Sequence, residues 1–443
     1  MNRDLTKGNV TGTMLLFAVP MILGNMLQQC YNLADTWIVG KFVGSDALAA
    51  VGSAYTMMTF LTSLILGMCM GSGALFSISF GRKDIRKMKE YIVSSFGMVL
   101  GITLLLMLLS FVLLHPILRL MQIPGEIYDM MLRYVRWILS GLLFIFLYNY
   151  FEFLLRSTGN SIVPLVFLGI SSVLNIGLDY WFVAVWNMGV EGAAQATVLS
   201  QAVSGIGIAF YSFIKEPVLN LKELKREKIR VKKELLGEIF SYSSATGVQQ
   251  SVMNFGILMV QGLVNSFGTA VMAAFAAGVK IDTLAYMPAQ EFGNAYSIFI
   301  SQNYGAGEEK RIKKGTKSAA GIVLGFCVVV SAGVYFLATN LMEIFISGEE
   351  TEIIRIGAGY LRIEGMCYCG IGILFLLYGY FRAIEKPKIS LVLTIISLGT
   401  RVVLAYVFAP IFGVGAIWWA IPIGWGLADV SGGILMKRNH KKK

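Results

Sequence analysis

The sequence predicts an all-α membrane protein: twelve transmembrane helices in two pseudo-symmetric six-helix bundles around a central cleft. Three observations carry that expectation. The 443 residues are 56% hydrophobic and 14% charged, with a mean hydropathy of +0.69, whereas a soluble domain carries about 25% charged residues. Twelve long apolar runs follow one another with basic loops at every second connection. The second half of the chain repeats the first.

A helix needs about 20 apolar residues to cross a bilayer. Runs that meet this length lie near 13–39, 46–79, 91–114, 127–151, 160–186, 190–214, 237–266, 270–302, 316–338, 352–379, 387–410 and 413–436. No small-residue cleavage site follows MNRDLTKGNV, so the first run is expected to stay as a span. The loops GRKDIRKMKE, KELKREKIRVKK, GAGEEKRIKKGTK and FRAIEKPK and the terminal KRNHKKK are basic, and the alternate loops around Asp46, Glu191 and Glu349 are not. Lys and Arg accumulate on the cytoplasmic side. Both termini are therefore expected inside, in a multi-pass protein of the cell inner (plasma) membrane. The net charge of +11 is then a topology signal, and no nucleic-acid partner is expected.

The basic segment 216–236 divides the chain into an expected amino-terminal lobe, 1–215, and a carboxy-terminal lobe, 237–443. Residues 44–89 align with 268–313 without a gap, Gly44 on Gly268 and Gly81 on Gly305, and Arg156 later falls on Arg382. Two copies of a six-helix unit in one orientation usually hold a substrate cavity at their interface near the midplane. Scaffold features should occur in both copies and a special site in one. Asn175 and Asp179, one turn apart on the fifth run, face Arg401 and Ala405 in the second copy, so this carboxylate is asymmetric.

A charge in the bilayer core costs about 3 kcal/mol on insertion scales, so each one needs a reason. Gln28, Asn32 and Asp35 form a polar stripe on the first run, Asn175 and Asp179 a second, and Thr197, Gln201 and Ser204 a third on the sixth run. At about 1.5 Å per residue the three stripes reach similar depth in the outer half. Two carboxylates, an amide and a hydroxyl suit a hard monovalent cation. The same acids can instead hold a proton as a unit, because two neighbouring carboxylates in low dielectric cannot both ionise. A purely structural reading, with both acids pinned by backbone donors or an Arg, is the competing one.

The other intramembrane charges have plainer readings. Glu152 and Arg156 lie one turn apart and are expected to pair. Glu291 sits mid-span on the eighth run, beyond Lys280 and Asp282, either as a second coupling acid and cavity residue or as a structural one. Arg401 and Asp429 are expected to pair with each other. Pro20 interrupts the first run, and proline permits a kink there; it reads as a static bend or as a hinge that moves Asp35. Cys30, Cys69, Cys327, Cys367 and Cys369 lack metal or redox spacing, and His115 and His440 are too few for zinc or haem. An enzyme would need a nucleophile, base or metal cluster at one interface, and the runs show none. A channel usually takes its pore from symmetric subunits, whereas this chain carries its own pseudo-symmetry.

The segments QQCYNLADTWIVGKFVG (28–44), GNSIVPL (159–165), NIGLDYWFV (175–183), GVEGAAQAT (189–197) and SQNYGAGEEKR (301–311) resemble the multidrug and toxic compound extrusion (MATE) family over essentially the whole chain. The resemblance implies two six-helix bundles about a central cleft. It also implies export of cationic or amphipathic small molecules in antiport with Na⁺ or H⁺, by a monomer without a cofactor. The family's amino-terminal-lobe cation site falls on Asp35, Asn175, Asp179 and Thr197, which would ligate Na⁺ in a sodium-coupled member, and its helix-one proline falls on Pro20. Gln28, Asn32, Gln201 and Glu291 are candidate cavity-lining residues. One family branch couples through acids on helices seven and ten; here helix seven has Gln249 and Gln250, and helix ten has Glu364 only near its outer end. The chain thus resembles the branch that couples through the first lobe. The alternative within transporters is a flippase of lipid-linked saccharides from the related exporter superfamily, which usually places several Arg in its cavity.

Overall fold

The computed structural model describes residues 4–121, 123–219, 229, 231 and 233–441. The basic segment expected as a linker at 216–236 lies largely outside the described residues. Those described form helices and connecting turns without a strand, as a chain solvated by hydrocarbon must, since only a helix or a closed barrel satisfies its own backbone there.

The helices are α1 (Val10–Phe42), α2 (Ser45–Gly81), α3 (Ile85–Val112), α4 (Leu114–Leu120), α5 (Gly125–Ser140), α6 (Leu142–Ser157), α7 (Ile162–Asp179), α8 (Gly189–Lys215), α9 (Lys233–Asn265), α10 (Thr269–Gly305), α11 (Glu309–Glu343), α12 (Thr351–Met366), α13 (Tyr368–Ala383), α14 (Pro387–Phe412) and α15 (Val414–Lys441). Each of the twelve apolar runs lies on one of these or on a consecutive pair. The runs at 127–151 and 352–379 break in the middle, by 41° between α5 and α6 and by 53° between α12 and α13. The run at 160–186 continues from α7 into a π-helical turn, Tyr180–Val185. The short α4 has no counterpart among the expected runs.

Among the described residues, eight helices are long and apolar enough to cross a membrane, or up to ten if each bent pair is one span. Helices α9 and α15 have spanning length, 33 and 28 residues, and are not among those ten. Amides and small polar residues dilute α9, and Gly, Pro and Trp dilute α15. The outward faces are apolar: Val173, Val329 and Phe336 are 74, 71 and 77% exposed, an arrangement that water penalises and lipid rewards.

Two compact units emerge. The first comprises Val19–Gly247 with the short piece ending at Leu5; the second comprises Thr6–Ala18 and Val248–Lys443. This partition cuts α1 between Ala18 and Val19, beside Pro20, and cuts α9 between Gly247 and Val248. It differs from a division at a linker, because both helices change packing partner along their length. Inside the first unit, the start of α9 lies directly on α2. A Cβ placed on Gly67 would come within 2.5 Å of the Gly247 Cα, one on Gly71 within 2.8 Å of the Ser243 Cα, and Ser72 Oγ meets Ser243 Oγ at 3.0 Å. Small residues bring helix backbones together in lipid because dispersion and short polar contacts, not water exclusion, drive association there. Inside the second unit, the start of α1 is tied to α11 by Thr11 and Ser318 (2.7 Å), and Arg311 donates to the Gly8 carbonyl at 2.8 Å.

The repeat is visible in the backbone. Gly44 and Gly268, aligned in sequence, both have positive φ, 115° and 96°, at the starts of α2 and α10. Lys83 and Gly307, Gly159 and Glu385, and Gly189 and Gly413 are further aligned pairs in that region. Gly141 and Cys367, where the two bent pairs break, also align at the spacing that puts Arg156 on Arg382. Those arginines sit in buried networks. Arg156 pairs with Glu152, as the one-turn spacing predicts, and Arg382 donates to Asn294 Oδ1 (3.1 Å) and Ser297 Oγ (3.2 Å).

Replacing Gly67 by Ala is expected to destabilise the protein by about 1–3 kcal/mol through overpacking. Gly97→Ala, whose Cβ meets nothing within 4 Å, should not. Thermal unfolding midpoints of the two variants in detergent check this.

Candidate functional site

Asp35 and Asp179 meet within the first unit. Their carboxyls lie within hydrogen-bonding reach of each other. Two carboxylates offer only acceptors, so the approach becomes a hydrogen bond only when a proton is present. Asp35 Oδ1 and both oxygens of Asp179 are buried without any other hydrogen-bond partner. Among the described residues no backbone donor or arginine is hydrogen-bonded to these buried oxygens.

Further oxygens lie one turn away. Asn175, one turn before Asp179, donates from Nδ2 to Thr197 Oγ1 at 3.5 Å, leaving Asn175 Oδ1 buried and unpartnered. Thr197 donates to the Ala193 carbonyl of its own helix at 3.0 Å. Ser171 donates to the Ser200 carbonyl at 3.0 Å and so fixes α7 against α8. Asp179 closes α7, and the π-helical turn begins at the next residue. A π-turn widens the helix and commonly marks a functional position. Phe42 at the end of α1 packs edge-on against Tyr180 of that turn, with centroids 6.1 Å apart, while Lys41 Nζ lies 4.6 Å over the Trp37 ring. This aromatic set holds the Asp35 end of α1 beside Asp179.

Of the four predicted ligands, Asp35 with Asp179, and Asn175 with Thr197, form two contacting pairs, linked by the single turn of α7 that separates Asn175 from Asp179. Unsatisfied buried carboxylate, amide and hydroxyl oxygens are the donor set that hard cations take. The other candidates disperse. Gln28 is exposed on α1 and bonds Tyr31. Asn32 is half-buried. Gln201 keeps Oε1 buried and unpartnered, beside Gly141 at the α5–α6 break. Glu291 belongs to the second unit, where Asn294 donates to it at 3.2 Å within the Arg382 network.

Two residues escaped the sequence reading. Tyr134 is buried, and Tyr31 half-buried, where both Asp35 and Asp179 act on them electrostatically. Tyr31 stands one turn before Asp35, and that spacing was available as a signal. Tyr134 lies on amphipathic α5, and only packing brings it in. The expected pairing of Arg401 with Asp429 does not form: no salt bridge joins them among the described residues, and Arg401 Nε and Asp429 Oδ1 each lie buried without a partner. Arg401 instead exerts its charge on Asp282 and Glu364, because α14 turns that face toward α10 and α12.

The second unit also contains a small cavity lined by Gln249, Gln250, Met253, Gln290, Asn294, Phe375, Tyr378 and Arg382. Amide groups, two aromatic rings and a methionine give it an adaptable mixed lining.

Spanning helices in repeated units, with buried acids inside them, are what a multi-pass membrane transporter is built from. The sequence pattern of the MatE family matches residues 20–181 and 245–407, one copy in each half, and the chain belongs to that family. It is 31% identical over 425 residues to the probable multidrug resistance protein YpnP of Bacillus subtilis (strain 168), covering 96% of this chain and 93% of that protein. It is 23% identical to the multidrug export protein MepA of Staphylococcus saprophyticus, covering 94% and 91%. Among solved structures it resembles an outward-facing conformation of a multidrug resistance MATE family transporter of the MOP superfamily. That match has a TM-score of 0.92 at 24% identity and covers 99% of this chain and 98% of the other.

Because Asp35 and Asp179 act as one unit, Asp35→Asn and Asp179→Asn should be non-additive in thermal stability, with a coupling of about 0.5–3 kcal/mol. Asp35→Asn combined with Glu291→Gln, in different units, should add to within about 0.5 kcal/mol. Unfolding midpoints of the single and double variants give both values.

Proposed function

We propose that this protein is a secondary active multidrug efflux transporter. It exports cationic or amphipathic small molecules in antiport with Na⁺ or H⁺. The observation that carries the reading is the Asp35–Asp179 approach, in which buried oxygens face one another with no donor to satisfy them. Multidrug resistance and export proteins among the relatives support the substrate class. In this reading 1–215 and 237–443 act as two lobes of six spans each, as a monomer in the cell inner membrane with both termini cytoplasmic.

The mechanism follows from charge. With the ion site empty, the acid pair is anionic and attracts a cationic ligand. An entering Na⁺ or H⁺ is held by Asp35 and Asp179, with Asn175 and Thr197 supplying further oxygens for a metal ion. The pair's attraction for the ligand then disappears, and the ligand leaves outward. Pro20 lies inside α1 and lacks the N–H that would close that turn. The helix therefore bends there at lower cost and carries Asp35 with it. Each inward charge brings about 2.3 kcal/mol per 100 mV, which sustains roughly fifty-fold accumulation of a neutral ligand at about 1.4 kcal/mol per decade; a monovalent cationic ligand returns that electrical energy on leaving, so a one-for-one exchange runs on the concentration gradient of the entering ion.

Ethidium efflux from proteoliposomes, with an Na⁺ gradient or a pH gradient imposed alone, tests this. Wild type should export under one of them and so name the ion. Asp35→Asn and Asp179→Asn should each lower the rate about tenfold or more, a barrier change of about 1.4 kcal/mol. Undiminished efflux by Asp35→Asn would overturn the mechanism.

A further inference from the structure

Helix α11 is the least buried of the helices that can span a membrane among the described residues, and it carries an unbalanced charge on one side. Lys310, Lys313, Lys314 and Lys317 are all exposed. At about 100° per residue they share one sector of the helix, roughly 100° wide. The opposite side of the same turns is packed. Ile312, Gly315 and Ala319 are buried, and a Cβ on Gly315 would come within 2.5 Å of the Phe299 ring. Arg311 is turned inward and donates to the Gly8 carbonyl at 2.8 Å and to Asn303 Oδ1 at 3.0 Å. Glu309, one turn before Lys313, offsets one of the four lysine charges at most.

Followed along the helix, the lysine sector continues without rotation into Gly321, Leu324, Val328 and Tyr335, at the three- and four-residue steps of a single face. These residues are exposed and make an apolar surface suited to lipid. Lys317 and Val328 lie about 16 Å apart along the axis at about 1.5 Å per residue, close to half the hydrocarbon thickness of about 30 Å. With the lysines at headgroup level, Val328 therefore reaches the bilayer midplane.

The repeat supplies an internal control. At the spacing that sets Gly81 on Gly305, Lys310 falls on Arg86, Lys313 on Lys89, Lys314 on Glu90 and Lys317 on Val93. In α3 that face is close to neutral: Arg86 lies 3.8 Å from Glu90, Lys89 is buried and Val93 brings no charge. A basic loop is enough to set the direction of a span, so an exposed lysine face confined to one copy exceeds what topology asks. The far end of α11 and the turn after it carry Glu343, Glu349 and Glu350, which keeps the positive excess at one membrane surface.

We propose that this face of α11 is a docking surface for anionic phospholipid. The lysine ammoniums bind headgroup phosphates, and the acyl chains lie along Gly321, Leu324 and Val328. Lysine suits the task because its stem follows apolar surface while its ammonium reaches the polar layer. Each juxtamembrane lysine raises affinity for an anionic membrane by roughly fivefold. A zwitterionic headgroup carries no net charge and gains little. The surface does not involve Asp35 or Asp179, so it stands or falls separately from the coupling mechanism.

Titration of the purified protein in mixed micelles with phosphatidylglycerol or phosphatidylcholine tests the proposal, with native mass spectrometry counting the lipids retained. Wild type should retain phosphatidylglycerol preferentially, and high salt should erase the preference by screening. Lys314→Gln combined with Lys317→Gln should weaken phosphatidylglycerol binding by roughly 25-fold, at about fivefold per lysine. Lys314→Arg with Lys317→Arg should keep it, and Arg86→Gln in the first copy should leave it unchanged. Unfolding midpoints in phosphatidylcholine verify that each variant is folded, and Lys310→Gln with Lys313→Gln gives a second double variant if the first folds poorly. Equal retention of both lipids by wild type, or a full phosphatidylglycerol preference in the folded glutamine variants, would overturn the proposal.

Discussion

Hydrocarbon offers no hydrogen-bond partner, and the rest of this structure depends on that constraint. The backbone answers it by forming helices throughout the described residues. Polar side chains answer it locally: Thr36, Thr59, Thr103 and Ser200 each donate back to a carbonyl one turn earlier. Arg156 and Arg382 answer it with buried partners, Glu152 in one unit and Asn294 and Ser297 in the other. Against so consistent a background, the few buried groups that remain without a donor stand out. Among the described residues they include carboxyl oxygens of Asp35, Asp179, Glu364 and Asp429 and the amide oxygens of Asn175 and Gln201. Buried polar groups cost free energy unless satisfied, so an unpaired buried carboxyl calls for a reason beyond packing.

The two units solve the same problem with different chemistry. Their shared architecture is plain in the matched positive-φ turns, the matched breaks at Gly141 and Cys367 and the matched arginines. The ionisable groups are not matched. Asp179 has Ala405 as its counterpart, Asp282 lies where the first half has Met58, and Asn175 faces Arg401 across the repeat. Duplication preserved the architecture and left its chemistry free to diverge. The amide-rich cavity around Gln249, Gln290 and Asn294 adds a third environment, polar without carrying an uncompensated acid.

Long helices also explain why the compact units do not coincide with the sequence halves. In lipid, a helix extends for as long as its backbone is satisfied, and α1 and α9 each run far enough to join two packing environments. Helix α9 approaches α2 through Gly67, Gly71 and Gly247 and then continues into the second unit. Helix α1 changes unit next to Pro20, where the ring removes one backbone hydrogen bond. The position at which the chain is easiest to bend is thus also the position at which its partners change.

The sequence by itself determined the solvent, the helical runs, the repeat and the first acid cluster. Each follows from local information: apolar length sets a span, and a carboxylate inside an apolar run is conspicuous wherever it points. Asp35, Asn175, Asp179 and Thr197 were legible for that reason, as was the Glu152–Arg156 pair at one-turn spacing. Tertiary structure alone decided which charges meet. Arg401 turned toward Asp282 and Glu364 and away from Asp429, Tyr134 came up against the first acid pair, and Glu291 joined the Arg382 network. These outcomes depend on how neighbouring helices rotate and cross, and periodicity along one helix carries no record of the rotation of the next. The breaks at Gly141 and Cys367 belong to the same category: both lie inside runs apolar enough to read as continuous, and packing of the flanking half-helices sets the bend.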